Sequence, residues 1–441
     1  MHQNLEIWLQ RIRNKGRNIS ASDRAPKKIF YGWIVVLCSV ILLALGLGMF
    51  NSTNSMFVKP VCESLGFSRA QFTLYRSIVI LTGAFVMALY GRLIQKIGVK
   101  KILVIGTLML GFVSMGYSFS NNLWQFYLFA VVNGLFFNAV NFLSIGVLIS
   151  AWFNGKKGLA TGLAYSGSGL GGAIMLPVIG HMIELAGWRW TYRLMGIFGI
   201  AVLLPIIIIF VKNKPEDIGL EPLPYEKSEQ KNNTIITVNY TFNEAIRSLK
   251  FWLLVTAFFF FNFFATALNT HTAPFLSDLG YGTVYIASVV SLYMVALTAG
   301  KIILGSAYDR FGAMTGNIIV SVFCLGFPIF AYFSYIPAMP WVYAVFLGIA
   351  SSGVSVPVSI LAIRHFGNKD FPVIFSSLMM ISNFAPAISI PSMGAVYDIT
   401  GSYMPAWIAF FICSVIITGC LIGVEILAGH RRLTGSTSVS R

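Results

Sequence analysis

Runs of about twenty apolar residues recur along this chain, from Tyr31 to the neighbourhood of residue 428. Each is long enough to cross a hydrocarbon core of ~30 Å. No water reaches backbone N–H and C=O groups in that core, so every crossing must be helical. We count twelve, centred near residues 45, 82, 111, 137, 171, 201, 264, 295, 325, 353, 384 and 416. A mean hydropathy of +0.76 with 10% charged side chains fits no water-soluble globule. Residues 1–30 are polar and basic and the first apolar run is full length, so no cleavable leader is expected.

The net charge of +16 invites a nucleic-acid reading, but the positions of the charges point to the membrane. With the N-terminus placed in the cytoplasm, 25 of the 31 Lys and Arg residues fall on inner segments. The outer loops hold Lys59, Arg69, Arg189 and Arg193, and two cations, Arg76 and Lys301, lie within apolar runs. This is the positive-inside pattern. It predicts a multi-pass protein of the plasma (inner) membrane with both termini cytoplasmic, the lipid bilayer as its environment and no nucleic-acid partner. The stretch LEIWLQRI near the N-terminus reads either as a short helix on the inner leaflet or as a disordered basic tail. The five cysteines are scattered and odd in number, so no disulfide framework, metal or cofactor is expected.

Two segments repeat at an offset of 214 residues. GRLIQKIG at 91–98 matches GSAYDRFG at 305–312, and LPVIGHMIELAGW at 176–188 matches IPSMGAVYDITGS at 390–402. FNSTNSMF at 50–57 matches LNTHTAPF at 268–275 at an offset of 218. The chain therefore divides into a tail (1–30), a six-helix bundle (31–212), a polar linker (213–248) with a short helix near TFNEAIRSL, a second six-helix bundle (249–428) and a second tail (429–441). Parallel repeats of this kind build transporters with a midplane substrate site between the halves.

The element G-x-x-x-D-R-x-G, intact in GSAYDRFG and carrying Gln95 in place of Asp in the first copy, resembles that of the major facilitator superfamily. YGWIVV at 31–36, WFNGKKGLATGLAYSGSGLGG at 152–172, and FGNKDF followed by GAVYDITGSY resemble the monocarboxylate-transporter and oxalate–formate-exchanger branch. The resemblance implies an all-α fold of twelve transmembrane helices in two pseudo-symmetric bundles, working as a monomer by alternating access. It implies gating roles for Gly91, Arg92, Gly98, Gly305, Asp309, Arg310 and Gly312. It also packs the glycine-rich fifth crossing (Gly158, Gly162, Gly167, Gly169, Gly171, Gly172) against the eighth, either for gating or for packing alone.

Lys301 sits mid-crossing in TAGKIILG, eight residues or ~12 Å before Asp309. A charge in lipid is costly, and no acid lies mid-membrane to pair with it. In the resembling branch a cation here meets the substrate carboxylate, so Lys301 is a candidate anion clamp, with snorkelling as the alternative. Arg76 is a second clamp, an outer anion guide, or an interfacial cation. Polar residues of crossings one, four, seven and ten (Asn51, Thr53, Asn138, Asn141, Asn269, His271 and Ser355) and Asn383 of the eleventh are candidate substrate contacts. Interhelical hydrogen bonding is the alternative for each, and His271 is also a candidate proton carrier.

The branch's proton-coupling Asp falls at Leu297, its first-crossing Lys at Ser52, and its second clamp is missing from the eleventh crossing. Exchange against another anion, or facilitated movement, is thus as well supported as proton symport. The expectation is a carrier of a small mono- or dicarboxylate, with H+ or a counter-transported anion as partner. The rival is a carrier or efflux pump for a neutral, zwitterionic or hydrophobic molecule, which the phenylalanines Phe258 to Phe261 permit, although lipid contact explains them more simply. No nucleophile with its base, metal cluster or buried acid pair supports an enzyme.

Overall fold

The computed structural model describes residues 30–67, 69–224 and 239–435. The LEIWLQRI stretch lies outside them. Among the described residues ten helices are long and apolar enough to cross a membrane. Two of these, Lys157–Phe210 and Thr283–Tyr332, have 54 and 50 residues, far more than one crossing needs. Each breaks at a glycine in the left-handed region, Gly187 (φ 76°) and Gly312 (φ 81°), which a side chain with Cβ would resist. Twelve crossings result.

In chain order they are α1 (31–65), α2 (Arg69–Ile97), α3 (Val99–Phe119), α4 (Leu123–Trp152), α5 (157–186), α6 (188–210), α7 (Leu249–Asp278), α8 (283–311), α9 (313–332), α10 (Met339–Phe366), α11 (371–400) and α12 (Met404–Gly435). Among the described residues there is no β-strand, only a backbone bridge between Phe153 and Leu223. Apolar side chains such as Phe112, Ile318 and Ile412 lie exposed, as expected where the solvent is lipid.

The 214-residue register reappears in the backbone. Left-handed glycines pair as Gly66 with Gly280, Gly98 with Gly312, and Gly187 with Gly401. α4 narrows to a tight turn at Asn138–Val140 and α10 at Ser352–Val354, also 214 apart. The larger offset of 218 has a counterpart in α1. Tyr31 and Leu249, which open the two halves, are 218 apart, and the register closes to 214 by Gly66 and Gly280. The extra residues of α1 fall between Phe57, still in the 218 register, and Gly66; earlier in the same helix the turns widen to i→i+5 bonding over Ala44–Ser52.

Aromatic packing corrects one expectation. Phe258 and Phe261 are fully buried rather than facing lipid. The short linker helix is Phe242–Ile246, closed by a capping box between Thr241 and Glu244. Both ends of the linker dock on repeat-related loops. Leu223 N–H donates to Trp152 O (3.0 Å), and Tyr240 N–H donates to Phe366 O (2.9 Å).

The principal contacts between the halves are α5 with α8, α2 with α11, and the linker-side ends of α4 with α11 and of α10 with α5. The opposite ends of α1 (Asn54–Leu65) and α11 (Ala385–Thr400) pack chiefly within their own half. The halves therefore meet on the linker side.

Candidate functional site

Small residues let α5 and α8 approach closely. A methyl added to Gly158 would strike the Gly305 carbonyl, and one added to Gly162 would strike the Lys301 carbonyl. Gly167 and Gly171 use the other face of α5 to meet the backbone of α1 at Val40 and Ala44. At the linker end of this crossing the Asp309 carboxylate accepts two hydrogen bonds, from Gly158 N–H and Leu159 N–H, each 2.7 Å. These are orphan donors of the first turn of α5, at the positive end of the helix dipole. The charge-assisted pair latches one half to the other.

Lys301 lies two turns deeper. It is 4% exposed, turned neither to lipid nor to an acid. Its side chain crosses to the other half, where Nζ donates to Tyr165 O (3.2 Å) and to Ser168 Oγ (2.7 Å) of α5. Nζ also stands 5.4 Å from the centroid of the Phe142 ring on α4. Among the described residues no carboxylate pairs with it. Buried charges are ordinarily paired. Here the ammonium is solvated by neutral oxygens and a ring face, and its charge is left uncompensated.

The other predicted residues separate into groups. Asn383 of α11 reaches across to α2, its Nδ2 3.5 Å from Met87 Sδ. Asn138 is buried and donates to Gly83 O (2.8 Å), pinning α4 to α2, and Asn141 caps the segment Phe142–Trp152 that resumes α4. Thr53 is buried and donates to Met49 O within its own helix, and Ser355 is buried near Ser352 O. His271 shares a hydrogen bond with Ile390 O of α11 (3.2 Å), the interhelical role. Asn51 is half-buried and Asn269 exposed on the side away from the linker.

Arg76 is half-buried beside Tyr75 at the end of α2 away from the linker and is not among the partners of Lys301, which are Tyr165, Ser168 and Phe142. Gly91 packs against Pro372, Val373 and Ser376 of α11, as Gly305 does against α5. Arg92 and Arg310 are exposed. Gly98 and Gly312 make the left-handed turns that end α2 and α8.

Sequence reasoning missed Tyr165, Ser168 and Phe142. Tyr165 and Ser168 lie in a stretch read only for its glycines. It also missed a buried cluster at the linker ends of α10 and α12, where the Glu425 carboxylate is 2.9 Å from His365 Nε2 and 3.5 Å from Arg364 Nη2. Those partners are about sixty residues apart, and nothing in their spacing links them.

Two repeat-related bundles of membrane helices, meeting at one side around a buried cation, define a membrane transporter of the alternating-access type. The family model for the Major Facilitator Superfamily matches residues 36–390, and the chain belongs to that superfamily. It is a multi-pass integral membrane transporter of a small molecule, and not an enzyme.

An uncharacterised transporter of this type, YcxA of Bacillus subtilis, is 22% identical over 391 residues, covering 84% of this chain and 90% of YcxA. The oxalate:formate antiporter of Oxalobacter formigenes is 28% identical over 56% of each chain. The crystal structure of the superfamily transporter FucP in its outward conformation covers 89% of this chain and 98% of its own, with a TM-score of 0.66 and 15% identity. At that identity the likeness is one of fold.

Proposed function

We propose that this transporter carries a small organic anion, a mono- or dicarboxylate, and that Lys301 is its electrostatic clamp. The observation that carries the reading is a buried ammonium at the crossing of the two halves with no carboxylate among the described residues to neutralise it. A carboxylate supplies the missing charge, and a hydrogen bond to a charged partner contributes about 1.5–3 kcal/mol. The Oxalobacter antiporter lends the same chemistry from a distance.

The anion meets Lys301 from the side away from the linker, with Asn269, Asn51 and Asn383 along the approach. Binding draws Nζ away from Tyr165 and Ser168, which loosens α5 from α8. The Asp309 latch then opens and the halves rock. Leu297 offers no titratable group one turn before Lys301, which favours exchange or facilitated movement over proton symport.

The charge asymmetry supports a cytoplasmic linker and cytoplasmic termini, and on this reading the carrier is a monomer of the plasma (inner) membrane with bundles at 31–212 and 249–428. The test is uptake of labelled formate, oxalate or lactate into proteoliposomes, with and without a pH gradient and with the same anions preloaded inside. We expect preloading to accelerate uptake and Lys301→Ala to abolish it. Uptake preserved in Lys301→Ala refutes the clamp.

A further inference from the structure

Three tyrosines meet in the N-terminal half on the side away from the linker: Tyr75 of α2, Tyr117 of α3 and Tyr192 of α6. The Tyr117 ring centroid is 5.7 Å from that of Tyr75 and 5.5 Å from that of Tyr192. Their exposures are 2%, 3% and 3%, and none of the three hydroxyls has a hydrogen-bond partner. Arg76 follows Tyr75 directly on α2 and is half-buried, and no acid among the described residues pairs with it.

Buried polar groups are almost always satisfied, and several unsatisfied together point to an occupant. These groups are a guanidinium and three hydroxyls. All can donate, and no carboxylate stands among them. The complement is an anion rather than a cation. We propose that Arg76, Tyr75, Tyr117 and Tyr192 form a binding site for one small anion, a halide or a carboxylate, inside the N-terminal half. This site is distinct from Lys301 and does not depend on what Lys301 binds. Its donors come from three helices, so the anion ties α2, α3 and α6 together.

The test uses the full chain in detergent, in a Lys301→Gln background that removes the other cation. Thermal unfolding is followed while sodium bromide or sodium formate replaces a bulky sulfonate at constant ionic strength. A saturable rise of about 2–4 °C is expected, because a ligand bound to the folded state stabilises it. Arg76→Gln is expected to abolish the rise. Tyr117→Phe keeps the ring and is expected to remove most of it, which preserves the test if Arg76→Gln fails to fold. A response to both anions marks a general anion site, and a response to formate alone marks a carboxylate site; either supports the proposal. No rise in the Lys301→Gln background, or a rise that both variants leave intact, overturns it and leaves water among the phenols.

Discussion

Where α5 crosses α8, Lys301 reaches into the opposite half and Asp309 caps the start of α5. Where α2 crosses α11, the residue 214 positions before Lys301 is Met87, whose sulfur meets Asn383 Nδ2 at 3.5 Å. The counterpart of Asp309 is Gln95, which is exposed. The N–H groups that Asp309 takes belong to Gly158 and Leu159, and Pro372 and Val373 stand at the repeat-related places. A proline has no N–H, and Val373 N–H already donates to Asp370 O. The second crossing therefore has neither the acid nor the paired donors for a latch. One scaffold carries a charge-dependent closure on one crossing and a nearly uncharged contact on the other. Under the proposed function an arriving anion would be felt at α5–α8, while α2–α11 slides.

The largest way to break this asymmetry is Lys301→Met, which gives α8 the residue its mate carries. We expect carboxylate uptake in proteoliposomes to fall about 10- to 100-fold, the worth of a hydrogen bond to a charged group. Met87→Leu is expected to change it by less than about twofold, because volume and polarity are nearly kept. Equal losses would show that the two crossings share the substrate.

The latch gives the next effect. Asp309→Asn leaves an oxygen but removes the charge, and charge-assisted bonds are about twice as strong as neutral ones. Spin labels at the exposed positions Lys96 and Lys369 report linker-side separation across the halves. The open population is expected to rise about tenfold in Asp309→Asn. Gln95→Asp is expected to leave it unchanged, since the facing Pro372 cannot donate.

Much of this frame is legible in the amino-acid order, because each part has a local physical cause. Twelve apolar runs dictate twelve crossings, and the turns at Gly98 and Gly312 need left-handed backbone that glycine supplies at two equivalent places. Lys301 stands out because an ammonium in an apolar run demands a reason. The direction of its side chain does not stand out. That depends on how α5 docks against α8, so Tyr165 and Ser168 remain two ordinary residues of a glycine-rich stretch until the halves are assembled. The same holds for Asn138, read as a cavity residue because it is polar and mid-crossing. In the fold α4 breaks there and the amide goes to Gly83 O. Composition marks where polar groups are costly. Which partner relieves the cost is a property of tertiary packing.

Close approach, unlike charge, is shared by the two crossings. Gly305→Ala would press a methyl on the Gly158 carbonyl, and Gly91→Ala would press one on the Pro372 carbonyl. Backbone cannot rotate aside, so each change is expected to cost about 1–3 kcal/mol, seen as a similar drop in melting temperature. A cost at Gly305 alone would mean that the crossings differ in shape as well as in charge.

Ser168→Ala gives the smallest effect and the finest test. Ser168 Oγ accepts from Lys301 Nζ and lies 2.9 Å from Tyr165 O, to which it donates. Under the proposed function a carboxylate must win Lys301 away from this pair before it binds. Removing the hydroxyl weakens the resting contact more than the occupied one, so the apparent affinity for the carboxylate is expected to tighten about threefold by ligand-dependent thermal shift. The serine 214 positions on, Ser382, is buried and donates to Leu378 O within its own helix (2.8 Å). Its replacement by Ala is expected to leave affinity unchanged. If Ser168→Ala instead weakens binding, the hydroxyl holds the anion rather than competing with it. The clamp would then span both halves from the moment of binding, and release of α5 from α8 would need another trigger.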